Sequence, residues 1–494
     1  MLFLFQYLSQ IPEKKLFFLF ALLTGFMSFW QLGLAPVYAW DEARHGVNAF
    51  EMLQIGDYWN LHWNHQPDTW NAKPPLMIWA IALSYKIFGF NEWGLRFPAG
   101  LATFAYFLVS FQLVKLYEKP AFAFLVGVIL MSCRAILGYH AGRTADCDAF
   151  LFCFLTFSAY FFFRSVDFAD KKGLLWAAIF WGLAFYSKGF AAVLMLPGMF
   201  LYLLLSEKRK DIWREKNTYF VVFIAIFIVA SYFIGTSLWG IAAENEKYVG
   251  GNNVERMILY DVFDRFFNPQ MTDVDKPIGR NYLFMVLDVR LNLWNYVLYL
   301  SLLWGLYSLY QQRTTWKRYL FSSSHKIAVL ALCLSAGFLM LLLPAANKAE
   351  WYLSPIFLFL VMVIVKGALA FSARSKAMNI VLLGLLLFTF GRNVYLLHVV
   401  EEKALQKRRF FQENAKLIQA QDFFFAFDSK YQDAILYLTW LNPHTRINPT
   451  PMPNKTHFWA FFTLEKGKLH EIDSVKCQDD YCIGKVKYVG QKFD

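Results

Sequence analysis

YLSPIFLFLVMVIVKGALAFSARSKAMNIVLLGLLLFTFGRNVY, residues 352–395, holds two apolar runs parted by Arg374 and Lys376. Each is about twenty residues long, enough for a helix to cross a ~30 Å hydrocarbon core, and the pair reads as two membrane crossings joined by a basic turn. Similar runs lie outward from it near 16–35, 97–117, 120–140, 149–165, 173–188, 190–206, 218–238, 293–310 and 326–343, which makes about eleven crossings in all. The composition agrees: of 494 residues, 57% are hydrophobic, 19% aromatic and only 17% charged, with a mean hydropathy of +0.36. That balance excludes an ordinary soluble domain. The first run follows Lys14 and Lys15 without a small-residue cleavage pattern and reads as a retained helix, not a signal peptide.

The net charge of +12 does not point to nucleic acid, because Lys and Arg cluster between apolar runs rather than on one soluble face. The basic connections hold Lys115 and Lys119, Arg164 with Lys171 and Lys172, Lys208 to Lys210, Arg313 to Lys326, and Arg374 with Lys376. On the eleven-crossing count they share one side, which the positive-inside rule makes cytoplasmic. The stretch 74–90 is apolar but short and carries Lys86, so it reads as a juxtamembrane or re-entrant helix on the outer side. Outward-facing parts are then the loops 36–96, 141–148, 239–292 and 344–351, the turn at Ser187 to Gly189, and a tail from about 396. In the tail, 422–429, 434–440, 457–464 and 483–490 read as strands after a helix near 401–420. The fold class is therefore mostly α: a polytopic transmembrane bundle over 1–395, with a small α/β domain at 396–494 facing the periplasm. Cys133, Cys153 and Cys333 read as small core residues, and Cys477 with Cys482 as a local disulfide in an oxidising compartment.

Polar chemistry concentrates in the outer segments. Asp41, Glu42, Arg44 and His45 open an amphipathic helix directly after a crossing, where carboxylates are costly unless solvated or paired. They read either as helix-capping groups paired with Arg44 or His45, or as catalytic groups. Arg143, Asp146 and Asp148 crowd the second loop, where they could hold an acceptor or a metal, or Asp148 could cap the next helix. Lys73 begins the element after the first loop, and Lys188 and Lys348 are isolated cations in tight outer turns, suited to a lipid phosphate or to snorkelling toward headgroups.

The order and spacing of these groups resemble the C-type glycosyltransferases of the protein O-mannosyltransferase and lipid A aminoarabinose transferase group. The likeness is carried by DEARHG at 41–46, GDYW at 56–59, KPPL at 73–76, FGFNEWGLRFPAG at 88–100, the run from Arg143 to Asp148, SKG at 187–189, and Lys348 with WYLSP at 351–355. It implies a membrane-embedded enzyme that takes a sugar from a polyprenyl-phosphate donor, with Asp41 as main catalytic carboxylate and Lys73 and Lys348 on the donor phosphate. On that footing Asp148 and Glu42 join Asp41 as catalytic candidates. Lys188 and Arg143 join the phosphate-binding set, and Arg44, His45, Asp146 and Tyr352 are substrate-binding candidates. The acceptor would be a glycolipid, polysaccharide or protein of the envelope, reached amid membrane lipid. No cofactor is required, although a divalent metal is a candidate. Ala72 stands where aminoarabinose-type members often carry an acidic residue, which counts against a metal site of their kind.

The favoured reaction is a direct inverting displacement. The chain has no glycine-rich phosphate loop, and a lipid phosphate needs none. One alternative is a transporter or flippase of lipid-linked sugars, which calls for ionisable groups near the midplane and two related halves. Another is a non-catalytic envelope assembly protein binding through its aromatic tail.

Overall fold

The computed structural model describes residues 1–68, 71, 73–206, 212, 216–240, 253–267, 281–315, 320, 322, 325–400, 402–426, 432–447, 457–463, 472–478 and 481–487. Ala72, the basic cluster at 208–210, residues 241–252 and 268–280 of the loop 239–292, the connection at 316–319 and the flanks of the tail strands lie outside the described residues.

The chain opens with α1 (Leu2–Leu8) and α2 (Glu13–Phe29), then α3 (Asp41–Ile55), a hairpin of β1 (His62–Trp63) and β2 (Gln66–Pro67), and α4 (Leu76–Phe88). The bundle continues as α5 (Glu92–Lys115), α6 (Pro120–Ser132), α7 (Arg134–Leu137), α8 (Cys147–Phe168), α9 (Gly173–Lys188), a 3₁₀ segment Gly189–Met195, α10 (Leu196–Leu205) and α11 (Lys216–Trp239). A broken helical run over 253–267 leads to α12 (Tyr282–Leu291), α13 (Trp294–Gln311), α14 (Lys326–Leu342), a 3₁₀ segment Glu350–Ile356, α15 (Phe357–Arg374) and α16 (Lys376–Leu396).

Among the described residues, six helical stretches are long and apolar enough to cross a membrane: 92–115, 147–168, 173–205, 218–239, 350–374 and 376–396. The stretch 173–205 joins the two runs expected at 173–188 and 190–206, and its path turns at Gly189, whose φ of +58° suits glycine. Other expected crossings form shorter or more polar helices, with 17 residues in α2, 13 in α6, 18 in α13 and 17 in α14. The 13 residues of α4, like the 13 of α6, span about 20 Å. Trp79 of α4 donates to Tyr58 O at 2.5 Å and Tyr85 packs against Trp440, so α4 lies among outer-loop and tail residues.

The two ends of the bundle are held differently. At one, Lys115 pairs with Glu13 at 2.5 Å, Lys366 with Glu118 at 2.6 Å and Lys326 with Asp167 at 2.8 Å, while the Met1 ammonium donates to Asn379 O at 2.9 Å. The basic connections that are described meet here. At the other end, Asn60 reaches Trp239 O at 2.9 Å, and the first two loops and the tail gather. In mid-bundle α10 crosses α14 at Gly198 and Gly337, where a Cβ on either would strike the backbone of the other helix.

The tail folds as α17 (Glu402–Glu413), α18 (Ala415–Gln419), β3 (Phe424–Ala426), α19 (Gln432–Leu441), β4 (Thr445–Ile447), β5 (His457–Thr463), β6 (Ile472–Gln478) and β7 (Tyr481–Lys487). The sheet order is β4-β3-β5-β7-β6, with β3 parallel to β4 and β5 and the rest antiparallel. Residues 434–440, expected as a strand, are helical. Parallel β3 and β4 need a crossover, and α19 provides it with Gln432 to Thr439 all buried. A short run that is apolar on every side cannot be told from a buried strand by period. Helix α19 packs on α3, where Leu436 fills the space left by Gly46, and the Tyr437 hydroxyl accepts from Val37 N at 3.0 Å and donates to Glu92 at 2.8 Å. Cys477 and Cys482, cross-strand neighbours on β6 and β7, form a disulfide.

Candidate active site

Helix α3 sets Asp41. Trp40, at a φ of 69°, turns the chain so that Asp41 falls in the first helical turn, where the helix dipole favours a carboxylate. Lys73 Nζ lies 4.0 Å and His140 Nδ1 3.9 Å from Asp41 Oδ2. The charge of Lys73, opposed by burial and aided by His45, His140 and Lys188, holds the Asp41 carboxyl well below the usual range. Arg44, one turn along α3, grips Asp68 with two bonds of 2.9 and 2.5 Å.

The second loop supplies His140 and Asp146. His140 donates from Nδ1 to Asp146 Oδ1 at 3.1 Å, Thr144 donates to Asp146 Oδ2 at 2.6 Å, and the His140 ring stacks on Trp351 with centroids 3.9 Å apart. Burial pulls the His140 imidazole down, but Asp146 and Asp41 outweigh it and the net shift is upward. Burial pushes Asp146 up, and His140 outweighs that in turn, leaving Asp146 low. His45 is buried with Nδ1 2.8 Å from Ala145 O; burial and then Lys73 bring it down to about 4, so it is neutral at pH 7.

Asp148, in the first turn of α8, is ion-paired to Lys188 at the end of α9, and Lys188 Nζ lies 5.3 Å over the Tyr352 ring. Asp148 Oδ1 is buried and has no hydrogen-bond partner among the described residues. These groups border a cavity of about 320 Å³ whose polar end carries Lys73, Asp148, Lys188, Asn347 and Tyr352. The remaining wall is apolar, with Leu151, Phe190, Leu194, Phe338 and Leu342 from α8, the 3₁₀ turn and α14. An amphiphile with an anionic head and a hydrocarbon tail matches this division.

Some expected site residues sit elsewhere. Glu42 is buried against Arg96, receiving bonds from Nε and Nη2 at 2.7 Å, and also accepts from the N–H groups of Tyr38 at 2.8 Å and Ala145 at 3.0 Å. Its carboxylate is thereby engaged away from the cavity. Arg143 donates to Met27 O at 2.8 Å and Trp30 O at 2.7 Å, closing the end of α2. Lys348 turns its ammonium onto Leu343 O and Ala345 O at the end of α14, and burial lowers its pKa. Asp146, not Asp148, stands at the cap position of α8, and neither side chain makes a capping bond there. Sequence reading passed over His140, Trp351 and Arg96 as individual groups. The FNEWGLRFPAG run contained Arg96 and the second loop began at His140, but nothing in their spacing announced their partners.

Asp41, His140 and Asp146 offer ligand atoms within 4.8 Å of one another, so this set could hold a metal ion. Their charges are already met by Lys73 and by the His140–Asp146 bond, and no chemical step is derived through a metal.

Residues 72–234 match the family profile described as dolichyl-phosphate-mannose-protein mannosyltransferase. An undecaprenyl phosphate-α-4-amino-4-deoxy-L-arabinose arabinosyl transferase from Pseudomonas fluorescens is 28% identical over 203 residues, 40% of this chain and 36% of that protein. A putative mannosyltransferase, YkcB, from Bacillus subtilis is 25% identical over 189 residues, 38% of this chain and 25% of that protein. The matches thus span less than half the length of these curated relatives. The crystal structure of ArnT from Cupriavidus metallidurans bound to undecaprenyl phosphate superposes with a TM-score of 0.69, covering 95% of this chain and 97% of that one at 14% identity. The fold is therefore that of the C-type membrane glycosyltransferases, as the motifs imply. With the spans, these bacterial relatives mark a bacterial inner-membrane protein.

Proposed function

We propose that this chain, which shares the fold of the C-type membrane glycosyltransferases, transfers a sugar from a polyprenyl-phosphate donor to an envelope acceptor at the periplasmic face of the inner membrane. The observation that carries the reading is the divided cavity: Lys73 and Lys188 at its polar end, hydrocarbon-lined walls leading away from them. A polyprenyl chain keeps to the apolar part while its phosphate meets the ammonium groups, each a compact charge suited to a phosphate leaving group. The arabinosyl transferases among the relatives, named for an undecaprenyl-phosphate sugar, support the polyprenyl-phosphate donor, and the motif resemblance to the lipid A aminoarabinose transferase group makes a lipid A-like glycolipid the acceptor proposed first.

In the proposed step an acceptor oxygen attacks the anomeric carbon from the face opposite the phosphate. The new carbon–oxygen bond forms as the sugar–phosphate bond breaks, and polyprenyl phosphate leaves with the electron pair. Asp41 orients the acceptor and takes its proton when the acceptor is a hydroxyl; an acceptor phosphate brings none. With Lys73 and His140 beside it, Asp41 stays ionised and serves first as an orienting charge. Asp148 Oδ1, buried without a partner, is available to a sugar hydroxyl. A transporter of lipid-linked sugars is not favoured, since Asp41, Lys73, Asp146, Asp148 and Lys188 gather at one end of the bundle.

The test incubates purified protein in lipid nanodiscs with undecaprenyl-phosphate sugars and envelope lipids, and identifies the product by mass. Transfer with release of undecaprenyl phosphate is expected. Absence of both transfer and binding of undecaprenyl phosphate would remove the proposal.

A further inference from the structure

We propose that Asp68 is a positioning residue for Lys73, and that the hairpin before it is the contact through which the C-terminal sheet holds Lys73 against Asp41. This rests on the reading of Lys73 as the cation that meets the donor phosphate.

The Asp68 side chain is 1% exposed and both its oxygens are engaged. Oδ2 accepts from Arg44 Nε at 2.9 Å and Asn48 Nδ2 at 3.0 Å; Oδ1 accepts from Arg44 Nη2 at 2.5 Å and Asn71 N at 3.2 Å. Asn71 returns a bond of 3.0 Å to Asn48 Oδ1. The segment is therefore sewn to the first turns of α3, the helix that begins with Asp41. Only one residue separates Asn71 from Lys73, so the lysine backbone is within about 7 Å of this knot. None of Asp68, Arg44, Asn48 and Asn71 lines the cavity, and Lys73 is the cavity residue that follows them most closely along the chain.

On its other side the knot meets the tail. Asp68 N donates to Leu61 O at 2.7 Å, continuing the ladder of β1 and β2. At the hairpin tip Asn64 and His65 both take left-handed φ values, 58° and 60°, as in a type I′ turn. The Asn64 side-chain amide then pairs with β4 as a strand would: Oδ1 accepts from Ile447 N at 2.8 Å and Nδ2 donates to Ile447 O at 3.4 Å. His65 completes the junction, donating its N–H to Glu51 Oε2 of α3 at 2.9 Å, with Nε2 3.3 Å from Thr445 O. Strand β4 is the edge of the tail sheet. A path of contacts thus runs from that edge through Asn64 and the hairpin to Asp68 and Asn71, and Lys73 follows Asn71 by two positions along the chain.

The experiment uses the full chain in nanodiscs and undecaprenyl phosphate alone as probe, with thermal unfolding measured alongside. Asp68→Asn is expected to weaken binding about tenfold and Asn64→Ala about threefold, and the latter effect should vanish when Lys73 is already alanine. Should Asp68→Asn fail to fold, Asn71→Ala takes its place. Asn64→Ala and Asn71→Ala that bind the lipid as well as wild type, or that weaken it equally with and without Lys73, would overturn the positioning role. Wild-type protein that does not bind the lipid would instead overturn the reading of the cavity.

Discussion

Helix α8 carries a buried carboxylate near each end, and the two are treated differently. Asp148 and Asp167 are each 5% exposed and each is paired with a lysine. Asp167 also accepts from the Tyr117 hydroxyl at 2.5 Å and the Tyr202 hydroxyl at 2.6 Å, so both of its oxygens have donors. Those donors come from the connection after α5, from α10 and from α14, and they tie the helices together. Asp148 has Lys188 on one oxygen and, among the described residues, no donor on the other, and that oxygen belongs to a residue of the cavity wall. A buried acceptor without a donor costs about 1–3 kcal/mol, a cost a purely structural site would be expected to avoid. The contrast teaches that the completed cluster is architecture; on the proposed function, the incomplete one is where a hydrogen-bond donor of the substrate would sit.

The sharpest test of that contrast begins with Asp41, at the same end of the bundle as the incomplete cluster. Asp41→Asn should lower transfer per folded molecule by about 10²-fold or more, since orientation and proton acceptance are lost together. Wild-type turnover would break the assignment. Asp148→Asn should follow with a loss of about tenfold or more. Asp167→Asn should leave transfer per folded molecule unchanged while lowering the unfolding midpoint, for a stability loss of about 1–3 kcal/mol. An Asp167→Asn protein that is stable yet inactive would reverse the two roles.

Much of this arrangement was legible in the sequence, for a physical reason. Apolar runs long enough to span hydrocarbon are visible without any partner, and charges stranded at their ends stand out because they are costly there. That logic picked out Asp41, Lys73, Asp148 and Lys188, and also 74–90 as a short helix. It could not tell Asp41 from Glu42, because their difference lies in Arg96, fifty-four positions away, and a pairing across such a distance leaves no local period. The same holds for His140, whose charge depends on Asp146 and Asp41 and whose plane depends on Trp351. In the tail, the choice between strand and helix for 434–440 was decided by the parallel pairing of β3 with β4, which no residue in that run encodes.

A smaller effect separates the cations. Lys73→Ala and Lys188→Ala should each raise KM for the donor about tenfold with a lesser change in kcat, the signature of lost donor binding. Lys348→Ala should do less, because its ammonium is already bonded to the carbonyls that end α14. Equal defects at all three positions would show that Lys348 leaves those carbonyls to meet the donor.

The smallest expected effect is a pH dependence concealed by cancellation where the hairpin meets the tail. Burial, partly offset by the His65 N–H and Arg446, raises Glu51 from 4.5 to about 7. Burial and then Arg446, with His444 and His62 adding to it and a bond to Thr445 O opposing, lowers His65 from 6.5 to about 4. Folded Glu51 keeps its proton after the unfolded chain has released it, so its contribution falls as pH rises from 4.5 to about 7. Folded His65 resists a proton that the unfolded chain accepts, so its contribution falls as pH drops from 6.5 to about 4. Between these limits the slopes oppose each other, and wild-type stability should vary little on account of this pair. Glu51→Gln keeps an acceptor for the His65 N–H but removes the carboxyl titration. Relative to wild type, it should therefore lose stability as pH falls from about 7 to 4.5, by at most about 1.4 kcal/mol per pH unit. His65→Gln should show the opposite slope, with relative stability falling as pH rises from about 4 to 6.5. Unfolding midpoints of the full chain in nanodiscs between pH 4.5 and 7.5 measure both differences, and background titrations common to the proteins drop out of the comparison. Parallel pH profiles for wild type and both variants would mean that neither side chain is held in its burial-shifted state, and that the hairpin does not close on the tail as tightly as the path to Lys73 requires.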